Sequence, residues 1–131
     1  MIVVDTNIAA YLLLPGEWTA AAESLWISDG EWAAPLLWRS EFRNILAGYM
    51  RRGLLTLEHA QEVQAAAEDL LAGREFGVDS RSVLQLVSES QCSAYDCEFV
   101  ALAQNKGCPL YTMDKKLLQQ FPFIARDIQG R

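Results

Sequence analysis

The sequence has few of the features that define several large protein classes. It contains three cysteines and a single histidine in 131 residues, and the spacing of Cys92, Cys97 and Cys108 matches no zinc or redox motif. We expect these cysteines to be buried thiols in a reducing compartment. No apolar run approaches the ~18 residues needed to cross a bilayer, and a charge appears too early for a signal peptide. We therefore expect a cytoplasmic protein with one domain over residues 1–131 and no membrane partner.

Basic residues are also in the minority. Lysine and arginine number 11 against 17 aspartates and glutamates, which gives a formal net charge of −6. Such a balance argues at first against a nucleic-acid partner, because phosphate binding is mainly electrostatic. The objection weakens if several of the acids hold a divalent metal ion, because a bound cation reverses the local charge. The positions of the acids therefore matter more than their number.

Hydrophobic patterning and turn residues predict strands that alternate with helices. Strands are expected at 2–5, 32–34 and 109–112, with a candidate last strand at 124–128. Helices are expected at 8–14, 19–27, 36–52, 56–72, 80–87, 94–105 and 115–120. Residues 76–78 fit either a short edge strand or a connection. The alternation predicts an α/β fold with a parallel sheet that is helix-rich because its strands are short.

Two aspartates follow predicted strands directly. Asp5 comes after the first strand, and Asp114 follows the strand that ends at Thr112. Open parallel sheets bind their ligands at the carboxyl ends of the strands, so both positions are candidates for a site. The structural alternative is that Asp5 or Asn7 caps the following helix and that Asp114 caps another.

Two further acids share helix faces with apolar residues. Glu41 lies three or four positions from Trp38 and Ile45, so it either faces a polar crevice or reaches solvent at the edge of the apolar stripe. Asp96 lines up with Phe99 and Val100 in the same way. It also stands three residues after Ser93, which is the spacing of a capping box.

In this order and spacing, five segments resemble the PIN-domain ribonucleases, and especially the VapC-type toxins of prokaryotic toxin–antitoxin pairs. The segments are residues 2–7 (IVVDTN), 40–44 (SEFRN), 93–96 (SAYD), 99–103 (FVALA) and 110–117 (LYTMDKKL). The resemblance covers nearly the whole chain. One departure is Phe99, where the family often has a tyrosine.

The resemblance implies a three-layer α/β/α PIN-like domain with about 4–5 parallel strands and about 6–7 helices. It makes Asp5, Glu41, Asp96 and Asp114 the acidic cluster. It also makes Thr112 a hydroxyl residue that orders the site and Asn7 a possible support. The implied activity is that of an endoribonuclease, the toxin of a type II pair. A homodimer and an inhibitory antitoxin protein are the implied partners.

Electrostatics explains why such a cluster calls for metal. If four carboxylates converge to ~5 Å, each ionised pair repels by about 3 kcal/mol at an effective dielectric of ~20. The sum, on the order of 20 kcal/mol, exceeds the ~5–15 kcal/mol stability of a small domain. Carboxyls must then be protonated or cations must fill the site. All-oxygen ligands select Mg²⁺ or Mn²⁺, which would activate a water for hydrolysis of an RNA phosphodiester. Asp5, Asp96 and Asp114 are expected mainly as ligands, and Glu41 as a ligand or as the base that aligns the water.

Basic residues near these acids are candidates for guiding RNA. They are Arg39, Arg43, Lys115 and Lys116, each of which could equally belong to a solvated helix face. Two alternatives remain for the protein as a whole. It could be a catalytically inactive PIN-fold module that regulates by binding, or a phosphoacceptor or phosphatase domain. The last class usually has a second aspartate two residues after the first, where this chain has Asn7.

Overall fold

A five-stranded, entirely parallel sheet forms the centre of the protein in the computed structural model, which describes residues 1–129. Its strands are β1 (Ile2–Val4), β2 (Trp32–Pro35), β3 (Glu75–Phe76), β4 (Leu110–Tyr111) and β5 (Ala125–Arg126). Their spatial order is β3-β2-β1-β4-β5. The predicted α/β class and parallel sheet are confirmed, and the ambiguous segment near Phe76 is a short edge strand. Gly130 and Arg131, which the predicted domain includes, lie outside the described residues.

Seven helices of the described chain surround the sheet and complete the three-layer α/β/α arrangement of a PIN-like fold. They are α1 (Thr6–Leu13), α2 (Thr19–Ser28), α3 (Trp38–Arg51), α4 (Leu57–Leu70), α5 (Ser80–Ser88), α6 (Ala94–Lys106) and α7 (Lys115–Gln120). Helices α1 to α4 contact one another, whereas α5 packs on α6. None of the helices within residues 1–129 is long and apolar enough to cross a membrane.

Helix α6 forms the centre of the core. It lies against β1, β2 and β4, and its consecutive residues from Phe99 to Ala103 are all buried. The first turn of this helix carries Asp96, whose charge contributes to the raised pKa values of Asp5 and Glu41. Cys92 and Cys97 are buried free thiols, as predicted, and Cys108 is partly exposed.

Helix α1 begins at Thr6, two residues earlier than predicted, because Asp5 is its N-cap. The Asp5 side chain accepts a hydrogen bond from the Thr6 backbone N–H at 2.8 Å. The capping alternative for Asp5 is therefore correct as local structure. The same holds for Asp114, which caps α7, while Ser93 caps α6. A capping role leaves the second carboxylate oxygen available for other partners.

An ion-pair network fixes the short edge strand β3. The Arg39 guanidinium donates to both Glu75 oxygens, at 2.6 and 2.8 Å, and to Glu68 at 3.1 Å. The buried Trp38 indole also donates to Glu75 at 2.6 Å. The Arg39 hydrogen bonds hold the pKa of Glu75 below its ordinary value. This network joins α3, α4 and β3 on the side of α3 that faces away from Glu41.

Two glycines provide a matched test of the backbone geometry. Gly107 ends α6 in the left-handed region with φ of 64°, so Gly107→Ala should lower the free energy of unfolding by about 1–2 kcal/mol. Gly48 lies inside α3, and a Cβ added there would meet nothing within 4 Å. Gly48→Ala should therefore raise the free energy of unfolding by about 0.5–1 kcal/mol. Urea denaturation measures both, and shifts of the same sign would contradict the assigned conformations.

Candidate metal and nuclease site

Strand register brings the first two elements of the candidate site together. Val4 of β1 pairs with Tyr111 of β4, so the residues that follow them, Asp5 and Thr112, are neighbours at the carboxyl edge. The buried Thr112 hydroxyl donates to Asp5 Oδ2 at 2.8 Å and accepts from the Asp114 backbone N–H at 3.0 Å. One hydroxyl thus connects the two aspartates that follow β1 and β4.

Glu41 joins this edge from α3 through Thr6. The buried Thr6 hydroxyl donates to Glu41 Oε1 at 2.7 Å, while the Thr6 backbone N–H holds Asp5. Glu41 is half-buried and faces this polar crevice, and the exposed part of its side chain also reaches solvent. Thr6 carries no periodic signal in the sequence. Its position directly after a candidate site aspartate is the one feature that could have drawn attention to it.

Asp96 completes the group from the first turn of α6. Its backbone N–H donates to Ser93 Oγ at 3.1 Å, and its side chain is partly buried. Burial and the negative charge of Asp114 raise the pKa of Asp96, and the Lys116 ammonium partly offsets the rise. Asp114 itself is exposed, and its Oδ1 accepts from the backbone N–H groups of Lys116 and Leu117 at 2.8 and 3.1 Å.

The acids act on one another electrostatically. Burial raises the pKa of Asp5, and the charges of Asp96 and Asp114 add to the rise, whereas the hydrogen bonds from Thr112 and Thr6 oppose it. Burial likewise raises the pKa of Glu41, with contributions from Asp5, Asp96 and Glu98 and an opposing hydrogen bond from Thr6. Within the described residues, none of the four predicted acids forms an ion pair.

The four predicted acids are grouped less tightly than a closed metal-binding cluster requires. Residues 1–129 contain no group of three or more acidic, histidine or cysteine side chains arranged to hold a metal ion. The described residues therefore do not form a tight cluster with ~5 Å separations between the four carboxylates. Carboxylate oxygens are nevertheless the right donors for a hard cation, and within the described residues these acids have no ion-pair partner. The donor set therefore suits Mg²⁺ or Mn²⁺ held by individual carboxylates and completed by water.

The four predicted RNA-guiding residues have different surroundings. Arg39 is committed to Glu75 and Glu68, so the structure argues against its predicted role in RNA binding. Arg43 borders an apolar pocket between α3 and α4. Lys115 and Lys116 are exposed beside Asp114, and the charge of Lys116 reaches Asp96.

Three side chains near the acids were not singled out from the sequence. Glu98 is a fifth acid, and its charge contributes to the raised pKa of Glu41. It stands two residues after Asp96, and residues two apart do not share a helix face, so the sequence carries no signal for it. Tyr11 lies close enough to Asp5 for that charge to affect its pKa. Tyr11 also lines, with Asn7 and Tyr49, a pocket of about 250 Å³ beside the acids. The predicted support residue Asn7 is exposed at the rim of that pocket, and no contact in the structure tests its role.

A parallel sheet of this order with acids at its carboxyl edge is the arrangement of a PIN domain, and the comparison with known families agrees. The PIN domain model matches residues 2–123, so the chain belongs to the PIN domain family. It is 28% identical over 127 residues to ribonuclease VapC3 of Pyrobaculum aerophilum, covering 95% of this chain and 97% of the relative.

Solved structures share the fold. A toxin–antitoxin complex from Klebsiella pneumoniae aligns with a TM-score of 0.72 at 17% identity, over 100% of both chains. VapC20 of Mycobacterium tuberculosis, described as a toxin that cleaves the sarcin–ricin loop, aligns with a TM-score of 0.66 at 21% identity, over 91% of this chain and 94% of that one. At these identities the structural likeness establishes the fold.

The variant Glu41→Gln should differ from the wild type in the pH dependence of its stability when divalent cations are absent. Burial and neighbouring charges raise the pKa of Glu41 in the folded protein above its ordinary value of 4.5. The free energy of unfolding of the wild type therefore falls as the pH rises from 4.5 through the pKa of Glu41 in the folded protein. Glutamine keeps an oxygen that can accept from Thr6 and removes the charge. The variant should be more stable at pH 7 by about 0.5–2 kcal/mol, with the difference vanishing near pH 4.

Thermal denaturation across this pH range measures the difference. Glu23→Gln is the matched control, because Glu23 is exposed on α2 and its substitution should change stability by less than about 0.5 kcal/mol. Saturating Mg²⁺ should shrink the advantage of Glu41→Gln, because a bound cation stabilises the wild-type carboxylate. Equal behaviour of the two variants at pH 7 would contradict the electrostatic assignment.

Proposed function

We propose that this protein is a divalent-metal-dependent endoribonuclease that acts as the toxin of a type II toxin–antitoxin pair. The observation that carries the proposal is the convergence of partly buried carboxyls from β1, α3 and α6 at one sheet edge, with raised pKa values and no ion-pair partner among the described residues. Relatedness to a protein named as a ribonuclease supports the reaction class.

Asp5, Asp96 and Asp114 are the proposed metal ligands, and Glu41 is either a ligand or the base. Magnesium usually keeps several waters and binds through one or two carboxylates together with substrate phosphates, which agrees with acids that are grouped without forming a closed cage. Magnesium or manganese, when bound, would supply Lewis-acid activation of a water nucleophile.

The residues of the chain have separate tasks in this mechanism. Thr112 and Thr6 each donate a hydroxyl hydrogen bond, to Asp5 and Glu41 respectively, and so fix the orientation of the two carboxylates. The raised pKa of Glu41 makes it a better proton acceptor near neutral pH than an ordinary glutamate. Lys115 and Lys116 are the proposed contacts to RNA phosphates, because their ammonium groups lie exposed at the acidic edge.

Asp5→Asn and Asp96→Asn should each lower Mg²⁺-dependent cleavage of RNA by about 100-fold or more. Asparagine can still cap α1 at position 5, and Ser93 can still accept from the backbone N–H of residue 96, so both variants should fold. Asp69→Asn on the exposed side of α4 is the matched control and should cleave like wild type.

Chelation of divalent ions should abolish cleavage by wild type, and Mg²⁺ or Mn²⁺ should restore it. Retained Mg²⁺-dependent cleavage by both Asp5→Asn and Asp96→Asn would contradict the assignment. Metal binding by wild type without cleavage would favour an inactive binding module.

The proposal includes protein partners and a compartment. The likeness to a structure named as a toxin–antitoxin complex supports an antitoxin, whose basic side chains would complement the acids at the sheet edge. We also propose a homodimer and a cytoplasmic location, where RNA and reduced cysteines are expected together.

Expression of the wild-type chain alone in a bacterial host should slow growth, whereas Asp96→Asn should not, because the toxicity requires the acids. Co-expression with the product of a short reading frame immediately upstream of the gene should restore growth. Growth curves and cleavage assays on the purified pair measure both effects. Slowed growth that persists in Asp96→Asn would contradict toxicity by RNA cleavage.

A further inference from the structure

A preformed pocket lies between α1 and α3, within one helical turn of Asp5 and Glu41 along those two helices. We call it the aromatic pocket and define it by the lining residues Asn7, Tyr11, Glu17, Trp18, Ile45 and Tyr49, around a volume of about 250 Å³. On α1, Asn7 and Tyr11 are one turn apart, starting two residues beyond Asp5. On α3, Ile45 and Tyr49 continue the stripe that begins at Glu41, because positions four apart share a helix face.

The far end of the pocket is held by hydrogen bonds of one side chain. The Thr19 hydroxyl donates to the Tyr11 carbonyl at 2.7 Å, and Thr19 Oγ1 accepts from the Gly16 backbone N–H at 2.9 Å. These contacts tie the connection between α1 and α2 to the helix that carries Tyr11. The pocket is thus a fixed cavity of the fold, and binding there need not be preceded by ordering of a loop.

The lining combines aromatic faces with polar groups and includes one carboxylate, that of Glu17 in the connection between α1 and α2. Tyr11 and Tyr49 are partly buried, and the pKa of Tyr11 is raised by burial and by the charges of Asp5 and Tyr49. The exposed amide of Asn7 offers donors and an acceptor. The Arg52 guanidinium lies 4.8 Å from the centroid of the Tyr49 ring, which brings a positive charge beside the pocket.

The geometry points to a nucleobase subsite: the aromatic pocket takes one unstacked base of the RNA strand adjacent to the phosphate held at the acids. Tyr11 and Tyr49 supply ring faces for stacking, Asn7 contacts the edge of the base, and Arg52 contacts a neighbouring phosphate. Single-stranded RNA is recognised mainly by stacking of splayed bases on aromatic side chains. The inference rests on the proposed ribonuclease function and adds to it a determinant of sequence preference.

The first experiment measures binding without cleavage. Nucleoside 5′-monophosphates and short single-stranded RNA oligonucleotides are titrated into the full-length Asp96→Asn protein and into double variants that add Tyr11→Leu or Tyr49→Leu. Loss of one stacking partner should weaken binding roughly 5- to 150-fold, which corresponds to the ~1–3 kcal/mol of a base–aromatic stack. Tyr11→Phe and Tyr49→Phe should stay within about 3-fold of the parent, because the ring face remains.

Tyr95→Leu is the matched control, since Tyr95 is 64% exposed on α6 and lies outside the aromatic pocket. It should change binding by less than about 2-fold, as expected for a surface substitution. Thermal denaturation checks that every variant is folded. If Tyr11→Leu and Tyr49→Leu bind oligonucleotides as Tyr95→Leu does, the nucleobase subsite is overturned.

A second experiment separates failure of the subsite from failure of the proposed function. RNA ends are sequenced after digestion by otherwise wild-type protein and by Tyr11→Leu or Tyr49→Leu. A relaxed base preference beside the cut supports the subsite, whereas Mg²⁺-dependent cleavage with an unchanged preference overturns the subsite and leaves the ribonuclease assignment intact. If no RNA is cut, nucleotide binding that depends on Tyr11 and Tyr49 still supports the subsite. If Tyr11→Leu or Tyr49→Leu binds RNA normally and fails only to bind the antitoxin, the proposed nucleobase subsite is overturned and the pocket is a protein-docking site.

Discussion

Negative charge gathered at the carboxyl edge of the sheet is the constraint on which the rest of the structure depends. Asp5, Glu41 and Asp96 reach that edge from separate elements, and each has a pKa raised first by burial and then by its acidic neighbours. The fold tolerates this arrangement through neutral hydroxyl donors. Thr6 and Thr112 are the two buried polar residues of the described chain, and both donate to these carboxylates. Neutral donors orient the acids and leave their charge available to a cation.

The arginine two residues before Glu41 is engaged in structural contacts away from the acids of the candidate site. Arg39 satisfies Glu75 and Glu68 on the opposite side of α3, so one helix separates a compensated ion-pair network from an uncompensated acid. If Arg39 faced Glu41 instead, the pair would neutralise the position that we propose for a metal ion. The helical period places residues 39 and 41 on different faces of α3. It therefore keeps the ion pairs of Arg39 apart from the carboxylate of Glu41.

Much of the fold and part of the site could be predicted from local patterns. Asp5 and Asp114 follow buried strands, and the carboxyl ends of parallel strands meet at one edge, so their proximity could be expected without coordinates. The helices predicted to end at residues 52, 72 and 105 are each followed within two residues by a glycine, Gly53, Gly73 or Gly107, and all three glycines have positive φ. In each case neighbouring residues determine the outcome.

Contacts between distant segments could not be predicted in the same way. The hydrogen bond from Thr6 to Glu41 joins residues 35 positions apart, and it depends on how α1 packs against α3. The ion pair of Arg39 with Glu75 depends on the pairing of a two-residue edge strand. The looser grouping of the acids has the same origin, because sequence position indicates a common edge and gives no separation between side chains.

The two outermost strands of the sheet have a consequence for behaviour at high concentration. Both β3 and β5 consist of two residues, and an edge strand of that length exposes very few unpaired peptide groups. Long, flat edges recruit strands from other molecules and seed fibrous aggregates. A protein whose sheet ends this abruptly on both sides offers little template for such growth, so it can accumulate in a crowded cell without polymerising through its sheet.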